Sequence, residues 1–553
     1  YKIMQGNSLI EEFHGISLDI EKKPDQQPNF FEGGSDLDFL IVDLHQKQAD
    51  FFNAEHPREK TAKRQEVETA ICNIFHSELS KVTGLAELEK KVIEDELKEM
   101  THGNKERNFF PWKLYFADVF REKGGFDVVI ANPPYLEARS PEFTNEMKIN
   151  NQNAVINRWK EDSKYIPRGS DLLIYFFELS LYAISNNGVS VFLTQNSWLD
   201  TEYGKKFQQF LLKHTYVPGI IDSDLKYFDS VEGPNINTII SVFTGKEPKM
   251  SGNITFARYH IDFREIKTCF DGLPNCDDVS IKRYKYDDPI LFNQKWGVLS
   301  TAELEVINLI KKAEQKGFYI DEIESGNFQI GQGLNITKNY LIDKNSIKYN
   351  NIKPYNIFTS TDDAPFAIMD TQYVLVDEKY KSKIDIGNHK FYRKTTKKPP
   401  VLIMPRGLGR HFCALNKINS YSASNVEVYD KNGNANEETI MNLWLYLNSS
   451  LAWLIRELSG RKNLGGGMLK AEAVDLKYFK LYYDFNRMDD IINVYNKLSE
   501  RSSIDTILEI ETIEHKIIDE IVFSHMMFNE NERALIVSIL QSLIIERSKK
   551  STT

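Results

Sequence analysis

The residues with the clearest chemical potential are the tetrapeptide Asn132-Pro133-Pro134-Tyr135, which directly follows the β-branched run at 126–130. Two consecutive prolines cannot continue a strand, so this pattern predicts a strand that ends in a rigid loop. The side-chain carbonyl of Asn132 and the backbone carbonyl of Pro133 could accept hydrogen bonds from both N–H groups of a ring amine, localising its lone pair. Tyr135 could stack on that ring. The tetrapeptide therefore predicts an acceptor site for transfer to an amino nitrogen, and the alternative is a rigid turn without a chemical role.

A ring amine of this kind occurs on nucleobases, where it lies inside the stacked duplex and out of reach of an enzyme. Transfer to it requires that the nucleotide leave the stack and that aromatic side chains replace the lost stacking. Tyr135 would supply one such face. A protein glutamine amide poses the same lone-pair problem and is an alternative acceptor. The large C-terminal part of the chain counts against that alternative, because enzymes of that kind are compact.

The elements around the tetrapeptide follow the alternation that is typical of an α/β domain. Asn187-Gly188 marks a predicted turn between a helix and the strand that follows it. Together the patterns predict a mostly parallel sheet flanked by helices. The predicted helices cover 54–104 (a hairpin), 170–185 and 203–212, and the predicted strands cover 126–130, 189–193, 217–221 and 236–243.

The composition changes towards the C-terminus. Residues 250–300 are more polar and contain turn sequences, so we predict a domain boundary there. Short strands, Gly/Asn turns and helices mix irregularly over 320–484, which favours a second, α+β domain. Apolar residues at helical spacing over 488–550 predict a helical tail.

The segment FDVVIANPPY at 126–135 resembles the acceptor motif of amino-methyltransferases. Its surroundings are similar to the gamma-class adenine-N6 DNA methyltransferases of type IIG restriction-modification enzymes. This resemblance implies an α/β fold with a Rossmann-like methyltransferase sheet that is N-terminally incomplete and carries a helical insertion. An α+β target-recognition domain and a helical C-terminal tail would follow. The other segments that carry the resemblance, in chain order, are Gly6-Asn7-Ser8-Leu9, Phe109-Phe110-Pro111-Trp112, Ser170-Asp171-Leu172 and the run TQNSWL at 194–199.

The same resemblance implies methyl transfer from S-adenosylmethionine to adenine N6 in double-stranded DNA, without a metal ion. The flipped adenine would lie between Tyr135 and Phe228, with the adjacent Tyr227 as an alternative to Phe228 and a pair of core aromatics as the interpretation without a chemical role. The implied catalytic residues are Asn132, Pro133 and Tyr135, and the implied cofactor-binding residues are Asn7, Ser8 and Asn132.

The resemblance also implies a division of the chain. Residues 1–265 would form a partial methyltransferase domain with a helical insertion at about 54–108, residues 290–484 the target-recognition domain, and residues 485–553 a helical C-terminal segment. The family's glycine-rich cofactor loop should precede the GNSL segment, but the chain starts at Tyr1, without an initiator Met, in a stretch that predicts a strand. We therefore expect part of the cofactor site and a nuclease domain upstream of Tyr1. The pair Gly33-Gly34 predicts a turn.

A basic segment lies in the predicted target-recognition domain. Residues 379–410 contain ten Lys or Arg and one acid, Asp385, in a chain whose net charge is −10. Such a local excess favours a surface that faces DNA phosphates, and an ordinary solvated face is the alternative. Arginines on the glycine-containing stretch 404–410 could also pair with base edges in the major groove. The predicted DNA-binding residues are Arg393, Lys394, Lys397, Lys398, Arg406 and Arg410.

The composition argues against several other classes of protein. Hydrophobic residues make up 41% and charged residues 27% of the chain, as in ordinary globular proteins. No apolar run approaches the roughly 20 residues of a membrane helix and no signal peptide opens the chain, so we expect a cytoplasmic protein. A non-catalytic DNA specificity module and the methyltransferase of a phage-exclusion system are alternatives. Four cysteines lack metal-ligand or disulfide spacing: Cys72, Cys269, Cys276 and Cys413.

Overall fold

The structure is a computed structural model. Within the part of the chain that it describes, no helix is both long enough and apolar enough to cross a membrane. The described residues are 6–14, 16–17, 36–101, 104–223, 238–260, 279–346, 352–359, 365–393, 397–407, 409–460, 469–478 and 480–552. The strand predicted at the start of the chain and the turn predicted at Gly33-Gly34 therefore lie outside the described residues.

The chain folds as two compact units. Unit 1 comprises residues 1–195, 203–225 and 238–292, and unit 2 comprises residues 196–202, 226–237 and 293–553. Each unit mixes helices with sheets, which confirms the predicted α/β fold class. The predicted division into a partial methyltransferase domain, a target-recognition domain and a C-terminal segment stays a prediction.

The helices of unit 1 include the hairpin predicted from helical spacing, which is confirmed as α2 and α3. The helices are α1 (Asp36–Asn53), α2 (Pro57–Ser80), α3 (Glu87–Thr101), α4 (Trp112–Tyr115), α5 (Ala117–Lys123), α6 (Asn145–Trp159), α7 (Leu172–Ala183), α8 (Glu202–His214) and α9 (Ile290–Asn293).

The described strands of unit 1 form a two-stranded pair and a larger sheet. The pair is β1 (Glu12–Phe13) with β2 (Ile16–Ser17). The larger sheet contains β3 (Phe126–Ala131), β4 (Ile184–Gln195), β5 (Tyr216–Ser223), β6 (Thr238–Thr244), β7 (Asn253–Tyr259) and β8 (Val279–Lys285).

The larger sheet has the strand order β3-β4-β6-β5-β7-β8. The pairings β3/β4 and β5/β7 are parallel, whereas β4/β6, β5/β6 and β7/β8 are antiparallel. The predicted mostly parallel sheet is therefore wrong for the described strands, because β6 inserts between β4 and β5 in the opposite direction. Period-2 and apolar patterns identify strands, but strand direction depends on how the connections cross the sheet.

The predicted turn at Asn187-Gly188 lies within the residues assigned to β4, where the register advances five residues on β4 (Ile184 to Val189) against two on β3 (Phe126 to Val128). Helix α7 ends at Ala183, and β4 starts at Ile184 and runs through both residues. A Cβ atom on Gly188 would lie 2.6 Å from the backbone oxygen of Phe126 on β3. The same atom would lie 3.0 Å from the Cβ atom of Ile184, four residues earlier, so the chain folds back here and the predicted turn is confirmed.

Unit 2 contains two further sheets and two groups of helices, and helices after residue 488 confirm the predicted helical tail. The sheet orders are β10-β13-β11-β16 and β12-β15-β14-β17-β9. The strands are β9 (Phe328–Gln332), β10 (Ile342–Asp343), β11 (Tyr355–Phe358), β12 (Ala367–Ile368), β13 (Tyr373–Leu375), β14 (Leu402–Met404), β15 (Ala414–Asn416), β16 (Tyr421–Ser422) and β17 (Val426–Asp430). The helices are α10 (Trp296–Thr301), α11 (Leu304–Glu314), α12 (Glu437–Leu447), α13 (Ser450–Ser459), α14 (Met488–Leu498), α15 (Thr506–Ile510), α16 (Ile513–His525) and α17 (Glu530–Thr552).

Candidate functional site

Strand β3 carries the Asn-Pro-Pro-Tyr loop at its C-terminal end. Two glycines precede the strand: Gly124 ends α5 in the left-handed conformation, and a Cβ atom on Gly125 would come within 2.4 Å of the backbone oxygen of Ala183. Phe126 then contacts the rings of Phe116, 5.0 Å away, and Phe120, 5.4 Å away, measured between ring centroids. These contacts hold the start of β3 on α5, so the strand directs its far end, and the loop, away from this aromatic cluster.

The loop itself presents its polar end to solvent. Asn132 and Pro134 are exposed, Pro133 is buried and Tyr135 is half-buried. The backbone N–H of Leu136 donates to the carbonyl of Pro134 over 2.9 Å, which makes a tight three-residue turn centred on Tyr135. The amide of Asn132 is therefore reachable from solvent, while the buried Pro133 anchors the backbone that follows it.

Tyr135 can supply a neutral aromatic face at this position. Its partial burial raises the pKa of the phenol above its ordinary value. The side chain therefore stays uncharged at physiological pH, and its ring retains an apolar face that a heteroaromatic ring could contact. The ring is neither fully enclosed nor free in solvent, which limits its rotamers while leaving part of its surface accessible.

The Asn7–Ser8 segment, which is predicted to contact the cofactor, forms a turn against residues 107–112. The backbone N–H of Asn7 donates to the carbonyl of Arg107 over 3.2 Å, and the indole N–H of Trp112 donates to the carbonyl of Ser8 over 2.9 Å. Trp112 in turn contacts Phe126 at the start of β3. Asn132 follows the other end of this strand, which spans roughly 17 Å. Shared cofactor binding by Asn7, Ser8 and Asn132 stays a prediction.

Several predicted site residues cannot be placed. Phe228, its alternative Tyr227 and Lys394 lie outside the described residues. The second aromatic face for a flipped base therefore also stays a prediction.

The basic residues of unit 2 differ in how they are engaged. Arg393 is exposed, whereas the ammonium groups of Lys397 and Lys398 donate to the backbone carbonyls of Gln332 and Lys431. These two lysines stay exposed along much of their length. An ammonium group carries three N–H donors, so a hydrogen bond to one backbone carbonyl does not by itself exclude a contact with a phosphate.

Arg406 and Arg410 are tied more firmly to the protein. Arg406 makes a two-pronged ion pair with Glu472, at 2.8 Å from Nε and 2.6 Å from Nη2. Arg410 donates from Nη1 to the carbonyl of Ser503 over 3.1 Å. This ion pair engages the Nε and Nη2 side of the guanidinium, so a contact between Arg406 and a base edge would use the other N–H groups or require the pair to open.

The edge position of β3 differs from what its apolar residues suggest. The β-branched run predicts a buried strand, but Val128 is 59% exposed and Ile130 is 79% exposed. Among the described strands β3 stands at the end of the sheet order and pairs only with β4. These two apolar side chains are therefore exposed at the edge of the described sheet.

Sequence reasoning missed one group beneath the loop. Asp171, Gln195 and Tyr203 meet next to residues 136–138 and are joined by hydrogen bonds to the Asp171 carboxylate. Asp171 belongs to a segment that carried the family resemblance, but no local pattern indicated that its carboxylate would reach a loop 33 residues earlier in the chain.

No group of three or more His, Cys, Asp or Glu within the described ranges could hold a metal ion. Cys72 and Cys413 are free thiols. Burial raises the pKa of both thiols, so both stay protonated at neutral pH.

One family model matches the region of the chain that contains the loop. Residues 47–228 match the family model described as Eco57I restriction-modification methylase. This match includes β3, the Asn-Pro-Pro-Tyr loop, α7 and α8. It confirms the predicted resemblance to the methyltransferases of type II restriction-modification systems. No curated protein sequence matches the chain.

Solved structures with a similar arrangement share little sequence with this chain. The type IIG restriction endonuclease BpuSI is 12% identical, and the alignment covers 94% of this chain and 67% of that one, with a TM-score of 0.34. The type IIL restriction-modification enzyme MmeI, solved in complex with DNA, is 11% identical over 93% of this chain and 77% of that one, with a TM-score of 0.44. A putative class I S-adenosylmethionine-dependent methyltransferase from Listeria monocytogenes is 12% identical over 38% of this chain and 86% of that one, with a TM-score of 0.17.

Proposed function

We propose that this protein is the methyltransferase of a restriction-modification enzyme and that it methylates N6 of adenine within a specific double-stranded DNA sequence. The observation that carries the proposal is the exposed amide of Asn132 at the end of β3, next to the buried Pro133 and the half-buried Tyr135. The family match over residues 47–228 supports the restriction-modification context.

The acceptor loop, residues 132–138, would act mainly through position and electrostatics. The side-chain carbonyl of Asn132 and the backbone carbonyl of Pro133 accept the two N–H groups of the adenine amine. The nitrogen lone pair then points away from the ring plane, towards the methyl donor. The nitrogen becomes positively charged as its new bond forms, and two fixed carbonyl oxygens at its hydrogens stabilise that charge more in the transition state than in the ground state.

Tyr135 would replace part of the stacking that the adenine loses when it leaves the duplex. Removing a base from the helix costs a few kcal/mol, least where the base is mispaired. Stacking on one aromatic side chain returns about 1–3 kcal/mol per base in proteins that bind single strands. One tyrosine therefore offsets a large part of that cost, and a second aromatic face would offset the rest.

S-adenosylmethionine is the cofactor that this chemistry implies, because its sulfonium supplies an electrophilic methyl group. The donor set fits: Asn7 and Asn132 present exposed amides and Ser8 a partly exposed hydroxyl. Asn7 also uses its side-chain oxygen to accept the backbone N–H of Leu9 over 3.2 Å, which orients the amide for a ligand. These residues would bind and orient the cofactor, while Asn132 serves both cofactor and base.

A methylation assay with tritiated S-adenosylmethionine, on the protein together with the upstream residues that the family resemblance implies, tests this proposal. We expect tritium in double-stranded DNA that contains the target sequence, and N6-methyladenine as the modified nucleoside after digestion. Asn132→Ala should reduce transfer by at least about a hundredfold, the size of effect seen when one electrostatic contact to a transition state is removed. DNA affinity should stay within about twofold, since the loop contacts only the flipped base.

Asn153→Ala is the matched control, because it makes the same substitution at an exposed asparagine on α6 to which we assign no role. It should leave transfer unchanged. Tritium in protein rather than DNA would favour the glutamine alternative and overturn the proposal. So would N4-methylcytosine as the product, or full activity of Asn132→Ala.

A further inference from the structure

Asp171 is placed where an aspartate normally caps a helix, yet its carboxylate does something else. It is the residue before α7, with the extended backbone of an N-cap (φ −65°, ψ 155°), but its side chain accepts no hydrogen bond from the first turn of that helix. The side chain is buried, with 7% of the residue exposed. A buried carboxylate that leaves its own helix uncapped must obtain its hydrogen bonds elsewhere.

Its partners come from three separate elements of unit 1. Oδ1 accepts the backbone N–H of Ala138, in the acceptor loop, over 2.8 Å. Oδ2 accepts the side-chain amide of Gln195, at the end of β4, over 3.2 Å, and the hydroxyl of Tyr203 on α8. The carboxylate therefore joins the acceptor loop to the ends of a strand and a helix that are otherwise distant in sequence.

A second contact fixes the same loop beside the stacking residue. The backbone N–H of Leu172 donates to the carbonyl of Leu136 over 3.0 Å. Leu136 directly follows Tyr135, so the loop is held to the start of α7 at two positions, 136 and 138. Ten of the twelve residues of α7 are buried, which makes this helix a rigid support.

We infer that Asp171 is a positioning residue for methyl transfer, an inference that rests on the proposed function of the acceptor loop. Its carboxylate fixes the loop at Ala138, and thereby holds the oxygens of Asn132 and Pro133 at the distance and angle that the amine requires. Asp171 itself touches neither base nor cofactor in this role. Displacement of a reacting group by about 1 Å can lower a rate about a hundredfold, so loss of this contact acts on turnover rather than on binding.

Asp171→Asn is the most informative variant, because it keeps the shape of the side chain. One oxygen can still accept from Ala138, but the new NH2 group then faces two groups that donate to Asp171 in the wild type. Gln195 would have to turn its amide oxygen towards it, and the hydroxyl of Tyr203 would have to accept instead of donate. We expect kcat for DNA methylation to fall between tenfold and a hundredfold. KM for DNA and KM for S-adenosylmethionine should stay within about threefold. Tyr203→Phe removes only one of the hydrogen bonds, and its kcat should fall less than that of Asp171→Asn.

Folding is measured beside activity, so that a structural role is separated from a positioning role. Each kcat is normalised to the fraction of folded protein, determined from thermal unfolding monitored by circular dichroism. Asp162→Asn is the matched control, because the Asp162 carboxylate pairs with Lys213 and His214 on α8 rather than with the acceptor loop. It should lower neither kcat nor KM.

The outcomes separate this inference from the proposed function. If the wild-type protein methylates DNA and Asp171→Asn keeps kcat within twofold, positioning by Asp171 is overturned while the proposed function stands. If the loss of activity equals the loss of folded protein, or appears in KM alone, Asp171 has a structural role and the inference is again overturned. A wild-type protein that does not methylate DNA would instead contradict the proposed function.

Discussion

Removal of one buried guanidinium should destabilise unit 1 strongly. Arg158 on α6 lies 5% exposed, and its Nε donates to Glu178 of α7 over 3.1 Å, while Nη2 makes a second contact with the same carboxylate. Glu178 is fully buried, and it also accepts the indole N–H of Trp159 over 2.7 Å. Arg158 further reaches Glu11 at 3.3 Å, so one side chain joins α6, α7 and the segment near the start of the chain.

The expected magnitude follows from the charge that would be left behind. Arg158→Met keeps most of the side-chain volume but leaves the carboxylate of Glu178 buried, with the neutral indole N–H of Trp159 still donating to it. Breaking one partner of a buried pair typically costs about 3–5 kcal/mol, because desolvation of the remaining charge is no longer offset. In a domain of this size 1 kcal/mol shifts the melting temperature by about 2–4 °C, so we expect a decrease of roughly 10 °C.

The assay measures the melting temperature of Arg158→Met, of Glu178→Gln and of the variant that combines both substitutions. The amide that Glu178→Gln introduces could still accept from Trp159 without a charge, so the double variant should lose clearly less stability than the sum of the two single variants. Lys47→Met is the control, because its ion pair with Asp43 is solvent-accessible and should contribute less than about 1 kcal/mol. A single-variant loss below about 1 kcal/mol, or strict additivity, would refute this reasoning.

Two further predictions concern unit 2. Burial raises the pKa of Glu427 to about 7, so the folded state binds a proton that the unfolded state releases above about pH 4.5, and stability should fall by up to about 3 kcal/mol between pH 4.5 and 7. In Glu427→Gln the melting temperature should fall less between pH 4.5 and 7 than it does in the wild type. A variant with the same dependence of melting temperature on pH as the wild type would contradict this prediction. Arg393→Ala and Lys398→Ala should each weaken DNA binding and reduce the slope of log affinity against log salt by about 1, measured by fluorescence anisotropy. Arg406→Ala should weaken DNA binding and also leave Glu472 without its ion pair to Arg406. If the dependence of affinity on salt is unchanged in all three variants, this surface does not bind DNA.

Local patterns determined a large part of the elements. The strand before Asn132, the helical hairpin, α7 and α8 are all confirmed, because apolar spacing and proline placement act on neighbouring residues. The end of that strand at the loop followed from the same reasoning, because two prolines stop a strand wherever the sheet is placed. Helical spacing alone does not determine burial. Leu88 and Val92 both fit the apolar spacing of α3, yet they are 75% and 61% exposed.

Only the tertiary structure decided which side chains meet. Strand direction in the sheet depends on the position of β6, which lies between β4 and β5 and runs antiparallel to both. No periodic pattern in the sequence indicates that position. Asp171 joins Ala138 across 33 residues and Arg406 joins Glu472 across 66, so their roles depend on contacts that chain spacing cannot specify. The amino acids by themselves indicated the chemistry that we propose at Asn132, because that chemistry would reside in four consecutive residues. The support that holds those residues in place comes from long-range packing, which only the folded chain assembles.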